Sequence, residues 1–309
     1  MKIVFLIDPI ESLSLSKDTS YALMNAAHQL NHTVSYCYES DIRIIDGTLQ
    51  IKVKTGAPTN DPHDPFKITS IEDVTADALD ILVIRTDPPF DKQYLAVTWL
   101  LDTVRDSVKI INSPTGIRNC NEKLSTLQFQ SLIPQTTIVW SPSEALSCLE
   151  THSHVIAKPI DGHGGKGVFN IKKTDSNARV IFETLSENGE YPFIIQPFIN
   201  EAIEGDKRII INNGKILGAI LRKQEGIDHR HNFFAGGTAL PYTLNERDTN
   251  IVTAILPKLK EEQLHFVGID LLGPYLTEIN VTSPTCLVEM STLLNRDLAK
   301  EVIQSWALI

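Results

Sequence analysis

Short apolar runs alternate with polar segments along the first third of the sequence. Short apolar runs are typical of buried strands, and apolar side chains that recur every three or four residues are typical of amphipathic helices. The pattern predicts strands at residues 2–7, 33–38, 81–84 and 109–111, a helix capped by Asp18 that extends to residue 29, and a helix at 94–104. Strands alternating with helices indicate a parallel α/β unit. Residues 41–75, rich in glycine and proline, are interpreted as a hairpin and a loop.

The pattern changes near Asn121 and continues to the end of the sequence. It predicts strands at residues 136–139, 155–158, 168–171, 193–196, 207–211, 216–221, 266–272 and 275–279, and helices at 144–149, 180–185, 246–262 and 296–306. Asn213-Gly214 is a strong signal for a tight hairpin turn. Residues 224–237 are polar and glycine-rich, and are interpreted as a mobile loop.

Composition indicates a globular protein with two or three lobes. The chain has 309 residues, of which 42% are hydrophobic and 21% charged, and a net charge of -10. This charge argues against general attraction to nucleic acid or anionic lipid. The four cysteines form no CxxC pair, and no signal peptide or membrane-spanning run is evident. We therefore expect a soluble cytoplasmic protein with reduced thiols.

A glycine-rich loop is the first candidate for chemistry. Residues 161–167 read Asp-Gly-His-Gly-Gly-Lys-Gly and lie between two predicted strands. A loop joining strands is not a dinucleotide-binding turn, but its N–H groups can approach phosphates closely. Lys158, just before it, and Lys123, further upstream, are candidate phosphate contacts. The alternatives are a flexible hairpin tip without a ligand and lysines that are merely solvated.

Acidic and amide side chains on the last two predicted strands are the second candidate. Asp270 lies within an apolar strand, so its carboxylate needs a cation or hydrogen bonds. Glu278 and Asn280 are two residues apart and point to one face of the next strand. If the two strands form a hairpin, the three oxygen-bearing side chains converge and suit Mg²⁺. The alternative is the polar face of a half-exposed sheet.

Other polar side chains follow the ends of predicted strands. Arginine holds carboxylates and phosphates with a bidentate fork, although exposed arginines are usually only solubilising. The arginine candidates are Arg208, Arg222 and Arg230. Ligands on parallel α/β units bind beyond the carboxyl ends of strands, which adds four candidates to face a cleft, namely Asp8, Arg85, Asp87 and Asn112.

Together these residues resemble the ATP-grasp ligases, and specifically the bacterial glutathione synthetases, along nearly the whole chain. The more specific motifs are Asp-Pro-Pro-Phe-Asp at 87–91 and Thr-Glu-Ile-Asn-Val-Thr-Ser-Pro-Thr at 277–285. The glycine loop and the lysines are shared across the wider superfamily. The chain departs from the family pattern at Thr86, Asn170 and His231, which bears on the acceptor and dipeptide more than on ATP.

The resemblance implies a fold with an N-terminal parallel-sheet lobe at 1–120, a central ATP-grasp lobe at 121–198 and a C-terminal catalytic lobe at 199–309. ATP and two Mg²⁺ ions, or Mn²⁺, would bind between the last two. By this likeness, nucleotide contacts would be Lys123, Lys158, Gly162, Gly164, Gly165, Gly167, Gln196, Pro197, Phe198 and Asp206. Asp270, Glu278 and Asn280 would hold metal, and Arg208, Arg222, Arg230 and Asn232 would be catalytic. Substrate contacts would be Asp18, Ser20, Arg85, Asp87, Gly236, Gly237, Ser283, Pro284 and Thr285.

The activity that the resemblance implies is the joining of γ-glutamylcysteine and glycine through an acyl phosphate, with ATP consumed and ADP released. Residues 224–237 would close over the reacting groups. A homotetramer or homodimer is expected. Two other interpretations stay open: a ligase for a different dipeptide or amine, and a non-catalytic ATP-binding protein with the same fold.

Overall fold

Three sheets organise the chain, and the computed structural model describes residues 1–224 and 236–308. The first sheet contains β1 (Lys2–Leu6), β2 (Thr33–Cys37), β3 (Ile42–Ile45), β4 (Thr48–Asp61), β5 (Asp64–Thr75), β6 (Ile81–Ile84) and β7 (Lys109–Ile111). The helices in this part of the chain are α1 (Thr19–Gln29), α2 (Lys92–Asp102) and α3 (Pro114–Asn119). Asp18 caps α1, as predicted, by accepting a hydrogen bond from the N–H of Tyr21 at 2.8 Å.

The first sheet is parallel where the α/β pattern predicts it. β1 pairs in parallel with β2 and β6, and β6 pairs in parallel with β7. β3, β4 and β5 add an antiparallel extension that is longer than the predicted hairpin and loop. Glycine supports this extension: Gly47 takes φ +79° at one turn, and a Cβ on Gly56 would collide with the carbonyl of Lys67.

The second sheet is a separate antiparallel unit. It contains β8 (Thr137–Val139), β9 (His154–Pro159), β10 (Phe169–Lys172) and β11 (Phe193–Pro197) in the order β10-β9-β11-β8, with α4 (Pro142–His152) and α5 (Ala178–Leu185) in the same stretch of chain. Buried side chains including Val155, Phe182 and Phe193 form a core of their own. This part of the structure therefore has an apolar interior independent of the other two sheets.

The third sheet is also antiparallel. It contains β12 (Asp206–Asn212), β13 (Lys215–Lys223), β14 (Thr238–Pro241), β15 (Phe266–Leu272) and β16 (Tyr275–Asn280) in the order β14-β13-β12-β15-β16. Its helices are α6 (Glu246–Glu261), α7 (Leu287–Leu294) and α8 (Leu298–Trp306). The predicted turn at Asn213-Gly214 joins β12 and β13, with φ +49° and +72°.

The first and third sheets share their cores. Leu6 and Leu82 of the first sheet belong to one buried cluster with Ile209 and Ile269 of the third. Asn112 fastens the two sheets: its side chain accepts hydrogen bonds from the N–H groups of His265 (2.7 Å) and Phe266 (2.8 Å). It also donates to the carbonyls of Phe266 and Val281 at 2.8 Å each. The prediction that Asn112 faces a ligand cleft is therefore wrong, because a buried amide with all these partners is structural.

Some elements escaped prediction. α3 is a single short segment, started by Ser113, whose Oγ accepts a hydrogen bond from the N–H of Gly116 at 3.3 Å. α7 is apolar on most of its surface and shows no clear amphipathic period, since Leu287 and Met290 are buried while its other apolar residues are half-buried. The last helix begins at Leu298, slightly later than predicted. Within the described ranges, no helix has the length and apolar character that crossing a membrane demands.

Candidate active site

A cleft opens between the second and third sheets, beside the carboxyl end of β6. Its volume is about 320 Å³. β9, β11 and the loop after β9 line one wall, and residues of β12, β13, β15 and β16 line the other. Sixteen of the residues singled out from the sequence lie on these walls: Asp87, Lys158, Gly164, Gly165, Gln196, Pro197, Phe198, Asp206, Arg208, Arg222, Asp270, Glu278, Asn280, Ser283, Pro284 and Thr285.

The glycine loop joins the antiparallel strands β9 and β10, as the sequence predicts. Gly164, Gly165 and Gly167 have φ values of +59°, +74° and +70°, in the region that disfavours residues with a side chain. A Cβ on Gly162 would lie 2.5 Å from Cγ of Pro159. The backbone thus requires glycine here, and the absence of side chains lets a phosphate approach this backbone closely.

Two buried lysines meet beneath this loop. Lys158 and Lys123 are only 7% and 6% exposed. Lys123 Nζ donates to the carbonyl of Gly162 and lies 3.4 Å from Glu278 Oε1. In the described part of the chain, Lys158 Nζ makes no hydrogen bond. Burial lowers the pKa of Lys158 to about 8, with the charge of Lys123 adding to the shift, so this ammonium suits an anionic ligand.

Two arginines share the carboxylate of Asp270. Arg208 Nε and Nη2 donate to Asp270 Oδ1 and Oδ2 at 2.5 Å and 2.9 Å, and Arg222 Nη2 lies 3.0 Å from Oδ1. Arg222 also donates to both oxygens of Asp206, at 2.6 Å and 2.8 Å. Burial by itself would raise the pKa of Asp270, but the two guanidinium groups hold it well below its usual range. The carboxylate is therefore ionised and already compensated by protein cations.

Three side chains that carry oxygen lie on the β15–β16 pair and line the cleft. Glu278 lies opposite Asp270 in the strand register, and Asn280 lies opposite Gly268. Asn280 Nδ2 is 3.3 Å from Asp270 Oδ2. No group of three or more His, Cys, Asp or Glu side chains in residues 1–224 and 236–308 is placed to hold a metal. Two carboxylates and one amide nevertheless fit Mg²⁺, which commonly takes its remaining ligands from water and nucleotide phosphates.

A polar cluster lies at the carboxyl ends of β1 and β6. Arg85 is 4% exposed, its Nε donates to Ser20 Oγ at 3.0 Å, and its buried Nη1 has no partner within the described ranges. Asp8 Oδ2 accepts the N–H of Asp87 at 2.8 Å. Burial raises the pKa of both Asp8 and Asp18, and the charge of Asp87 adds to each shift. Asp87 lines the cleft, whereas Asp8, Asp18, Ser20 and Arg85 are not part of its lining.

The segment between the second and third sheets carries the predicted adenine contacts. Gln196 Nε2 donates to Thr136 Oγ1 at 2.8 Å, which fixes the side-chain amide. The ring of Phe198 stacks on His154, with centroids 4.1 Å apart and planes 10° from parallel. These contacts shape an apolar wall with polar groups at its edge, an arrangement suited to a flat base.

Some of the remaining predicted residues line the cleft and others lie outside its lining. Ser283, Pro284 and Thr285 line the cleft, and the Thr285 carbonyl lies 3.5 Å from Arg208 Nη1. Ser283 Oγ donates to the carbonyl of Arg85 at 3.3 Å, which ties this segment to the first sheet. The other site residues outside the lining are Lys123, Gly162, Gly167, Asp18, Ser20, Arg85, Gly236 and Gly237. Arg230 and Asn232 lie outside the described residues, as does most of the predicted mobile loop.

Comparison with known proteins agrees with this geometry. The family model described as "Prokaryotic glutathione synthetase, N-terminal domain" matches residues 1–118. The model described as "Prokaryotic glutathione synthetase, ATP-grasp domain" matches residues 122–295. The chain belongs to this family. It is therefore an ATP-dependent ligase, and its ATP-grasp fold implies the use of ATP and a divalent metal.

Curated relatives and solved structures extend the comparison. The glutathione synthetase of Vibrio cholerae is 36% identical over 293 residues, covering 94% of this chain and 92% of that protein. The glutathione synthetase of Escherichia coli O6:H1 is 35% identical over 292 residues, with the same coverage. Among solved structures, the D-cycloserine synthetase DcsG has a TM-score of 0.66 at 16% identity, covering 98% of this chain and 99% of its own. The macrocyclase MdnC of Microcystis aeruginosa has a TM-score of 0.65 at 13% identity, covering 98% of this chain and 100% of its own. At these identities the two structures establish the fold alone.

The cleft also contains residues that sequence reasoning did not select. Glu122, His163 and Thr282 line it. Glu122 and His163 are neighbours in sequence of selected residues, but an isolated acid or imidazole in a polar stretch gives no periodic signal. Their relevance depends on the contacts that the fold creates between distant segments.

Proposed function

We propose that this protein forms glutathione by joining the cysteinyl carboxylate of γ-glutamylcysteine to the amine of glycine, with ATP converted to ADP and phosphate. The observation that carries the proposal is the meeting of Lys158, Arg208 and Arg222 with Asp270 and Glu278 in one cleft under the glycine loop. The cationic side chains bind the triphosphate, and the acidic side chains bind the metal. The names of the curated relatives support the identity of the substrates.

The reaction has two steps in this proposal. A carboxylate oxygen of the dipeptide attacks the γ-phosphorus of ATP, ADP leaves, and an acyl phosphate forms. The amine of glycine then attacks the acyl carbon, and phosphate leaves as the peptide bond forms. Lys123 and Lys158 neutralise charge on the phosphoryl oxygens, and the glycine loop covers them. Magnesium bound by Asp270, Glu278 and Asn280, as two ions or as Mn²⁺ in its place, would supply further charge neutralisation.

The remaining roles are assigned on the same basis. Gly162, Gly164, Gly165 and Gly167 bring their N–H groups to the phosphates, Asp206 holds Arg222, and residues 196–198 hold the base. Arg208 and Arg222 orient the reacting groups together with Ser283, Pro284 and Thr285. The polar cluster around Arg85 takes the charged end of the dipeptide. Nη1 of Arg85, which has no partner among the described residues, suits a carboxylate, and the acids of the cluster suit an ammonium. Contributions of Arg230, Asn232, Gly236 and Gly237 stay predictions.

Three further assignments belong to the proposal. The functional units are 1–120, 121–198 and 199–309, supported by the separate core of the second sheet. A homotetramer or homodimer working in the cytoplasm is proposed from the family likeness. Small molecules are the proposed ligands, and neither nucleic acid nor membrane is a proposed partner.

A substrate screen tests the proposal. Purified protein with ATP, Mg²⁺, γ-glutamylcysteine and glycine should release one phosphate for each tripeptide formed. Phosphate release with another dipeptide or amine, and none with this pair, would redirect the proposal to a ligase of different specificity. Nucleotide binding without phosphate release on any carboxylate would show a non-catalytic binding protein.

A further inference from the structure

β16 lies at the edge of the third sheet, so its outer row of N–H groups has no strand partner within residues 1–224 and 236–308. The segment that carries Glu122 and Lys123 covers part of this edge instead. The main-chain carbonyl of Glu122 accepts a hydrogen bond from the N–H of Ile279 at 2.8 Å. Further along, the carbonyl of Leu132 accepts the N–H of Leu276 at 2.8 Å. A distant segment therefore closes the edge of the strand that carries the candidate metal ligands.

The side chain of Glu122 extends this contact beyond the end of the strand. Its Oε1 accepts hydrogen bonds from the N–H groups of Val281 (2.9 Å) and Thr282 (3.1 Å) and from the hydroxyl of Thr282 (2.8 Å). Together with its carbonyl, Glu122 thus receives four hydrogen bonds from residues 279–282. Hydrogen bonds to a charged acceptor are stronger than those to a neutral one, so the carboxylate is a firm anchor.

This anchoring bears on Glu278 and Asn280 because of strand geometry. Successive side chains of a strand point to opposite faces, so fixing the backbone at Ile279 and Val281 also fixes the direction of the residues between and before them. Glu278 and Asn280 are thereby held toward Asp270. The residue next to Glu122 is Lys123, whose Nζ lies 3.4 Å from Glu278 Oε1. One short segment therefore carries a cation that is a candidate phosphate contact, and it also fixes the orientation of the candidate metal ligands.

We propose that Glu122 is a positioning residue that holds β16 in the register required for Glu278 and Asn280 to bind the divalent metal. In this role it acts through the backbone of residues 279–282 and not as a ligand of the metal. This inference rests on the proposed function, in which those side chains hold the metal. Removing such a supporting contact typically weakens metal binding about 10–100-fold.

The test compares two carboxylates with the same pattern of hydrogen bonds. Glu144 Oε2 accepts the N–H groups of Trp140 (3.1 Å) and Ser141 (3.0 Å) and the hydroxyl of Ser141 (2.9 Å), at the start of α4 and outside the cleft lining. Glu144→Ala therefore removes the same kinds of bond, but none that reaches residues 279–282. Mn²⁺ affinity is measured by electron paramagnetic resonance of the free ion, with a non-hydrolysable ATP analogue present, at a temperature where circular dichroism shows every variant folded.

Glu122→Ala should weaken Mn²⁺ binding about 10–100-fold. Glu122→Gln should weaken it less, because the amide oxygen can still accept the same bonds, and Glu144→Ala should leave it unchanged. Wild-type Mn²⁺ affinity in folded Glu122→Ala, or equal weakening in Glu144→Ala, would overturn the inference. If Glu122→Ala does not fold, Thr282→Val and Glu122→Gln decide: weaker Mn²⁺ binding in both supports the role, and wild-type affinity in both overturns it.

Failure of the wider proposal would look different. If the wild-type protein binds Mn²⁺ and the nucleotide analogue but ligates no dipeptide, the proposed activity is contradicted. The Mn²⁺ affinities of the Glu122 variants would still decide the positioning role, since that readout requires no turnover.

Discussion

Arg208 and Asp270 face each other in the register of β12 and β15 and form a bidentate ion pair, with nitrogen–oxygen distances of 2.5 Å and 2.9 Å. Both side chains are buried, at 7% and 9% exposure. Asp270 therefore has two tasks in this structure. It compensates the buried guanidinium groups of Arg208 and Arg222, and in the proposed function it gives an oxygen to a metal.

Two measurements on variants of Asp270 distinguish these two tasks. Asp270→Asn keeps the shape and should lower turnover by about 10²–10³-fold, through loss of a charged metal ligand. Both variants should also lose about 3–5 kcal/mol of stability, because each removes the negative charge that compensates two buried arginines. Phosphate release and urea unfolding followed by circular dichroism measure the two effects. Near-normal turnover in Asp270→Asn would refute the metal assignment.

Nucleotide affinity should depend on pH through Lys158. Burial lowers the pKa of this side chain to about 8, so its charge is present below that pH and is lost as the pH rises through it. The Kd for an ATP analogue should therefore increase by up to about tenfold per pH unit above 8. Fluorescence titration from pH about 7 to about 9 measures this slope. Lys158→Arg stays charged throughout this range, so its Kd should be nearly flat; parallel slopes in both proteins would contradict the role.

The glycine loop gives a prediction with an internal control. A Cβ on Gly162 would lie 2.5 Å from Pro159 Cγ, so Gly162→Ala must displace the loop. It should raise the Kd for the ATP analogue about tenfold or more, since loop amides would leave the phosphates. Gly214 has open space around it and φ +72°, so Gly214→Ala should cost about 1–2 kcal/mol of stability without changing that Kd. Equal Kd values for the two variants would argue against a phosphate-binding loop.

Loss of a hydrogen bond to Asp248 should change the stability of the protein and leave its activity unchanged. Its fully buried carboxylate accepts hydrogen bonds from Lys207 Nζ at 2.7 Å and the Tyr242 hydroxyl at 2.6 Å. Tyr242→Phe removes one bond to a charged group and should lower the free energy of unfolding by about 1.5–3 kcal/mol. Because the cleft lining includes none of these side chains, kcat and KM should stay at wild-type values. A changed KM for ATP would show that this network shapes the site.

Local pattern was sufficient for much of the fold and for part of the cleft walls, such as Lys158, Asp270 and Glu278, whereas other wall residues were expected only from the family resemblance. The glycine loop could be placed between two strands because apolar runs flank it directly. Asp270, Glu278 and Asn280 could be brought together because one tight turn separates their strands, and their register follows from alternation. Predictions of this kind need only neighbours in sequence.

Contacts between distant segments could not be predicted in the same way. Asn112 looked like a cleft residue because it follows a strand, yet its partners lie up to 169 residues away. Glu122 meets Val281 across 159 residues, so nothing nearby in the sequence indicates its role. The need of Asp270 for a cation was foreseeable, but that Arg208 and Arg222 supply it depends on strand pairing.

Transfer of oxygen from the dipeptide to phosphate is the most direct test of the account. γ-Glutamylcysteine labelled with ¹⁸O in its cysteinyl carboxylate is ligated to glycine with ATP and Mg²⁺, and the phosphate is examined by mass spectrometry. An acyl phosphate intermediate requires one carboxylate oxygen to leave with the phosphate, so each phosphate formed should carry one ¹⁸O. Tripeptide formed with unlabelled phosphate would contradict the account.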